Sequence, residues 1–206
     1  MLRRATGNVE REVYLNMILR GSGRINALVN DLLSYYRIAG TAAALYSVHQ
    51  LLDEVLALAA DRLHLKNVSV IKDYMVLDAK VMINAQEVKI ALTNIMINAI
   101  EAMPAENGKL RLLTRSVNGN CMLEIEDNGE GIPADKLKDI FKPYVTGKPG
   151  GMGLGLSTSL DILLSNHANI EVRSEEGKGA CFIVTFDKIP GYIIPKPFTP
   201  LKDLPA

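Results

Sequence analysis

Asp127-Asn128-Gly129-Glu130-Gly131-Ile132 stands directly after the strand-like run Cys121-Met122-Leu123-Glu124-Ile125-Glu126. A strand that delivers an aspartate and then two glycines one residue apart is built for close backbone approach. Glycine lacks Cβ and takes positive φ freely, so a flat ring can lie against the main chain there. The aspartate, held at the strand end, would present a carboxylate acceptor to an amino group. Alone, the hexamer fits an ordinary Asx-Gly turn as well, so its surroundings decide.

Downstream, Gly150-Gly151-Met152-Gly153-Leu154-Gly155-Leu156 leads into a helix predicted over Ser157–Asn166. Glycines that free backbone N–H groups ahead of a helix N-terminus make an anion site. A flexible linker is the other reading of such a run, and apolar Leu160, Ile162, Leu163 and Leu164 just after it argue against that. Between the two glycine stretches lie Ile140-Phe141-Lys142-Pro143-Tyr144 and Thr146-Gly147-Lys148. Phe141 and Tyr144 are candidate anchors of a movable segment and Lys148 a candidate phosphate contact. The stretch over residues 136–152 is therefore expected to act as a lid.

Upstream, a helix is predicted over Glu87–Met103, with Val88, Leu92, Ile95, Met96, Ala99 and Ile100 as its buried stripe and Pro104 and Gly108 as its stop. Asn94 and Asn98, four apart, share one face, and Glu101 extends it. Amides among core residues need partners. Either they bridge backbone groups, or they face a polar ligand; an amide oxygen beside phosphates suits Mg²⁺, which favours oxygen ligands and keeps several waters.

The remaining segments set the frame. Residues 8–38 read as one long helix, because Tyr14, Ile18, Gly21, Ile25, Leu28, Leu32 and Tyr35 recur at alternating steps of four and three, a heptad seam that must pair with something. Gly40 is a helix stop. A short strand is predicted over Leu45–Val48, a helix over Leu51–His64, and strands over Val68–Tyr74 and Lys80–Asn84. Leu110–Val117 and Met122–Glu126 should pair around Asn118-Gly119-Asn120, and Ile170–Ser174 with Ala180–Phe186 around Glu176-Gly177-Lys178-Gly179. Strands and helices do not alternate strictly, so the expected class is α+β: a two-layer sandwich of mixed sheet on helices, preceded by one long helix. With 23 basic and 23 acidic side chains, the chain offers no electrostatic case for nucleic acid. No apolar run is long enough to span a bilayer, and Met1-Leu2-Arg3-Arg4 does not read as a signal peptide. Cys121 and Cys181 lie in apolar runs and are expected as free thiols; His49, His64 and His167 lack metal-ligand spacing.

An Asn-x-x-x-Asn helix, a D-x-G-x-G strand end, a hinged segment and a G-x-G-x-G helix start, in that order from about Leu45 to Phe186, resemble the nucleotide-binding domain of the GHKL superfamily. That superfamily includes histidine kinases, type II topoisomerases, ninety-kilodalton heat-shock chaperones and mismatch-repair ATPases. Hydrolysing members carry a glutamate where this chain has Asn94, and the segment from Tyr14 to Leu33 resembles the second helix of the kinase dimerisation hairpin. Asn94–Met103, NIMINAIEAM, looks most like the nitrogen-sensing subgroup of sensor histidine kinases.

The resemblance implies a Bergerat-type fold and an ATP contact set: Asn94, Asn98, Glu101, Ala102, Asp127, Gly129, Gly131, Ile132, Tyr144, Lys148, Gly151, Met152, Gly153, Leu154, Gly155 and Leu156. Asp127 would take the adenine amino group, Gly129 and Gly131 would let the ring settle, and Asn98 would hold Mg²⁺. It further implies three regions: a partial dimerisation helix over residues 1–40, the catalytic ATP-binding domain over 41–189 and a tail over 190–206 with five prolines. Implied partners are ATP or ADP, a response regulator receiver domain and a second copy through the N-terminal helix; the implied location is cytoplasmic, with membrane attachment of a longer protein left open. The family's phospho-accepting histidine has no counterpart here. The short polar lead before residue 8 favours a fragment of a longer kinase over a chain that has lost its acceptor. A nucleotide-gated module without catalysis and a serine kinase of the anti-sigma-factor type are the other readings the same pocket allows. Ala180 departs from the threonine or serine common in the family.

Overall fold

A computed structural model describes residues 42–147, 151–187 and 189. The helix predicted over residues 8–38, Lys148, Gly150 and the tail from Pro190 lie outside the described residues. One of two compact units runs from Ala42 to Val145 and resumes at Gly153; Thr146–Met152 belongs to the other.

Strand β1 (Ala44–Ser47) pairs antiparallel with β3 (Lys80–Ile83) as a separate two-stranded sheet. Helix α1 spans Val48–Leu58 and so begins three residues ahead of the predicted Leu51. Ser47 is the cause: its Oγ accepts the Gln50 N–H at 2.9 Å, satisfying an amide of the first turn that has no partner inside the helix. The predicted continuous run to His64 is also corrected. Buried Ala59 takes φ −93°, ψ 0° and shares its N–H between the Val55 and Leu56 carbonyls, at 3.1 and 3.2 Å, before a short helix α2 resumes over Ala60–Leu65.

The five-stranded sheet has the order β2-β4-β5-β7-β6. It comprises β2 (Ser69–Asp73), β4 (Lys109–Val117), β5 (Asn120–Asp127), β6 (Ala168–Ser174) and β7 (Ala180–Phe186). β2 joins β4 in parallel and every other pairing is antiparallel, which makes the sheet mixed, as expected. Asn118 and Gly119 both take positive φ, 54° and 86°, giving the two-residue hairpin geometry between β4 and β5. Alternation then sorts the side chains. Leu110, Leu112 and Thr114, then Cys121, Leu123, Ile125 and Asp127, then Ala180, Phe182, Val184 and Phe186 are buried.

Helix α3 (Ala85–Ala102) opens on Asn84, whose Oδ1 accepts from the Gln86 and Glu87 amides. All six apolar residues of its predicted stripe are buried. It packs on α1 and on α4 (Gly155–Ser165). A polar knot fastens its start: the Tyr46 hydroxyl donates to both Glu54 oxygens at 2.8 and 2.9 Å, and Lys89 of α3 bonds the same carboxylate at 3.0 Å. Hydrogen bonds from Gln50, Lys89 and Tyr46 hold the Glu54 carboxyl down to about 2. Among the described residues no helix is long and apolar enough to cross a membrane, and both cysteines are free.

Candidate functional site

Strand β5 ends on Asp127. The period of two that buries Cys121, Leu123 and Ile125 also turns this carboxylate inward, leaving it 5 % exposed. Its Oδ1 accepts the Gly129 N–H at 2.8 Å and the Ala180 N–H at 3.4 Å. Burial pushes the carboxyl above its ordinary range, and the two amides work against that shift. The loop is thus served by Oδ1, and Oδ2 is the oxygen left for a ligand.

The glycines beside it are also required by the protein's own backbone. A Cβ at Gly129 would stand 2.6 Å from the Ala102 carbonyl oxygen, and one at Gly131 would stand 2.1 Å from the Glu175 carbonyl oxygen. Gly131 also takes φ +69°. What crowds these positions is the protein's own backbone, on both sides of the loop. The Ala102 carbonyl, at the end of α3, accepts from the Glu130 N–H at 3.0 Å, and the Glu130 carbonyl accepts from Gly177 at 2.7 Å. Ile132 is partly buried against the core, and its N–H donates to Ser174 Oγ at 2.8 Å.

A second cluster forms where α4 begins. Asn94 lies 4.0 Å from the position of a Gly155 Cβ, so the α3 amide faces the start of α4. No side chain caps α4, whose first residue is Gly155, two ahead of the predicted Ser157. Helix N-termini without such a cap suit water or an anion. Ser159 ties the helices, donating to the Ala91 carbonyl of α3 at 3.2 Å. Leu154 flanks the helix start, and its carbonyl accepts from the Thr158 N–H and the Ser157 hydroxyl. The Leu156 side chain is partly buried and packs on the core.

Asn98 is partly buried one turn beyond Asn94, and Glu101 pairs with Arg62 at 2.9 Å at the end of the same face. Tyr144 carries an exposed ring at φ +66°, and its N–H donates to the Gly153 carbonyl at 2.9 Å. A Cβ on Gly153 would meet Tyr144 and Val145 backbone at 2.6 Å, so the two stems of the glycine-rich segment touch there. Ile140 is buried and Phe141 packs on the core, which anchors the first part of the expected lid. Gly151 and Met152 belong to the other unit, and Lys148 lies outside the described residues.

Three contributors went unread in the sequence. Ser174 Oγ accepts from Ile132 and donates to the Gly179 carbonyl at 2.7 Å. Gly179, at φ +85°, would place a Cβ 2.0 Å from the Asp127 carbonyl oxygen. Asn128 bridges the chain across the loop, its Oδ1 accepting the Lys109 N–H at 2.7 Å and its Nδ2 donating to the Asn107 carbonyl at 2.9 Å. A second glycine in Glu176-Gly177-Lys178-Gly179, more than one turn needs, was the available signal for Gly179.

Residues 83–190 match the family described as histidine kinase-, DNA gyrase B- and HSP90-like ATPase. Sporulation kinase C of Bacillus subtilis (strain 168) is 31 % identical over 177 residues, covering 85 % of this chain and 41 % of the relative. The sensory histidine kinase/phosphatase NtrB of Vibrio alginolyticus is 30 % identical over 175 residues, covering 80 % and 49 %. The chain thus spans less than half the length of either. The solved catalytic domain of histidine kinase ThkA, 28 % identical, superimposes with a TM-score of 0.65 over 73 % of this chain and 98 % of that one. ThkA has also been solved in complex with response regulator protein TrrA, at 25 % identity and a TM-score of 0.69 over 86 % of this chain and 51 % of that one. This chain belongs to the histidine kinase-, DNA gyrase B- and HSP90-like ATPase family, and it carries the ATP-binding catalytic domain of a histidine kinase.

Proposed function

We propose that the chain is the catalytic portion of a two-component sensor kinase, passing the γ-phosphoryl group of ATP to a histidine supplied by another segment or chain. The observation that carries this reading is the inward carboxylate of Asp127 at the end of β5, with one oxygen spent on its loop and one left for an amino group. Asp127 would select adenine, with Ile132 against the ring. Asn94, the amides at the start of α4 and Lys148 would hold the phosphates. Among the described residues no group of three His, Cys, Asp or Glu side chains could hold a metal by itself. The donor set fits Mg²⁺ that reaches the site with the nucleotide, held by Asn98 and keeping its waters. The ion's chemistry there is neutralisation of charge on the transferred phosphoryl group.

An amide at position 94 cannot take a proton from water as a carboxylate can, so the site favours holding ATP over hydrolysing it. We assign residues 1–40 to the dimerisation helix, 41–189 to the catalytic domain and 190–206 to a tail. The heptad seam supports a homodimer through the first of these, and the ThkA–TrrA complex supports a response regulator as the downstream partner. A cytoplasmic site of action follows from that partnership.

The test is to incubate the chain alone with Mg²⁺ and γ-labelled ATP. Stoichiometric binding with very slow release of phosphate is expected, with no label on the chain itself. Rapid, sustained phosphate release would replace the kinase reading with an ATPase.

A further inference from the structure

The last turn of α3 ends against the loop that holds Asp127, and that turn contains no basic residue. Helix C-termini leave carbonyl groups unpaired and concentrate partial negative charge, which a cation there relieves. Lys66, just past α2, supplies the cation from outside. Its Nζ donates to the Glu101 carbonyl at 2.9 Å and the Met103 carbonyl at 3.0 Å. Between those two residues lies Ala102, whose carbonyl accepts from Glu130 at 3.0 Å and is the atom that Gly129 must pass. The Gly129 N–H then holds Oδ1 of Asp127 at 2.8 Å. From the ammonium to the carboxylate the contacts follow one another along consecutive stretches of backbone. Arg62 also reaches this helix end, through the Glu101 carboxylate, but that pair is 55 % and 37 % exposed and such pairs contribute little. Lys66 is partly buried and bonds main-chain oxygens.

We propose that Lys66 is a positioning residue for base recognition. It fixes the Ala102 carbonyl, and through it the aim of the Asp127 carboxylate toward a purine that bears an amino group. The proposal rests on the reading of Asp127 as the base acceptor. It predicts that Lys66, remote in sequence from the nucleotide motifs, governs selectivity as well as affinity.

The experiment titrates the full chain, Lys66→Met and Lys66→Arg with ADP and with IDP, whose purine carries a carbonyl in place of the amino group. The unaltered chain is expected to favour ADP by about ten- to a hundredfold. Lys66→Met is expected to lose about three- to tenfold in ADP affinity while IDP changes by less than about twofold, so the preference narrows. Lys66→Arg, which keeps the charge, should hold ADP within about twofold of the unaltered chain. Equal weakening of ADP and IDP in Lys66→Met would overturn the proposal, since that is the signature of a phosphate contact or a general loosening. So would an unchanged preference. Lys66→Gln, which keeps a neutral donor, carries the same comparison should Lys66→Met fail to fold. If the unaltered chain does not distinguish ADP from IDP, the reading of Asp127 falls and the proposal with it; if it does and Lys66→Met keeps the same preference, the proposal alone falls.

Discussion

Replacing Asp127 by Asn separates what this side chain does for the fold from what it does for a ligand. The amide oxygen can still accept from Gly129 and Ala180, which now bond Oδ1 at 2.8 and 3.4 Å, so the loop keeps its ties. Oδ2 becomes an NH₂ group, which turns an anionic acceptor into a donor facing a donor. The lost charge-assisted bond contributes about 1.5–3 kcal/mol, so the Kd for ADP should rise about ten- to a hundredfold. Stability should move the other way. Burial already raises the carboxyl of the empty protein, so a neutral amide relieves a desolvation cost and the melting temperature at pH 7 should hold or rise. The sign in pH follows. The folded, empty protein binds this proton more tightly than the unfolded chain does, so this group favours the fold at low pH and loses that contribution as pH rises through its raised pKa. A ligand amino group favours the carboxylate, so ADP affinity should weaken as pH falls through the window above the ordinary aspartate value, and Asp127→Asn should be flat there. Calorimetric titration with parallel thermal melts reads both quantities. A Kd change below about twofold with a raised melting temperature would show that Asp127 does not touch the base. Joint loss of affinity and stability would make it a structural residue only.

Three further outcomes follow from the same contacts. Gly177→Ala meets open space at φ +79° and should cost about 1–2 kcal/mol, whereas Gly179→Ala, with a Cβ 2.0 Å from the Asp127 carbonyl, should cost more and weaken ADP as well; equal melting shifts would refute the packing assigned to that turn. Glu54, held down to about 2, lends stability above its unfolded pKa that is lost as pH falls through the folded value, so Glu54→Gln should flatten the acid limb of the stability profile, and a profile superimposable on the unaltered chain would count against the Tyr46–Glu54–Lys89 knot. Backbone amides beyond Phe141 should exchange fast in the empty protein and slow with nucleotide, while those around Ile140 should be protected throughout; protection in the empty protein equal to that of α3 would remove the lid.

The sheet was legible because its central strands are short apolar runs bounded by turn residues: β7 matched Ala180–Phe186 residue for residue, and the α3 stripe was read correctly at all six positions. The pairing of β1 with β3 was not, since four-residue strands more than thirty residues apart leave no local pattern. Ser47 shows the limit at helix ends: its capping hydroxyl decides where α1 begins, yet the apolar period alone pointed to Leu51. In the site, the acidic and glycine positions were visible, and the backbone packed against the glycines was not. Gly129 and Gly131 do not show in sequence that the carbonyls of Ala102 and Glu175 lie where a Cβ would stand. Lys66 and Ser174 act on partners some 35 and 42 residues away, where spacing carries no information.

Phosphoryl transfer in trans tests the central claim most directly. The acceptor is a longer chain in which a hairpin helix bearing a histidine precedes residues 1–206 and which carries Asp127→Asn, with ATP held well below that variant's weakened Kd so that it does not use ATP itself. Mixed with the present chain and Mg²⁺–γ-labelled ATP, that acceptor should gain acid-labile, base-stable label, as phosphohistidine does, while the present chain gains none. Acid-stable label on a serine, or an acceptor that stays unlabelled although both chains fold and pair, would contradict the account.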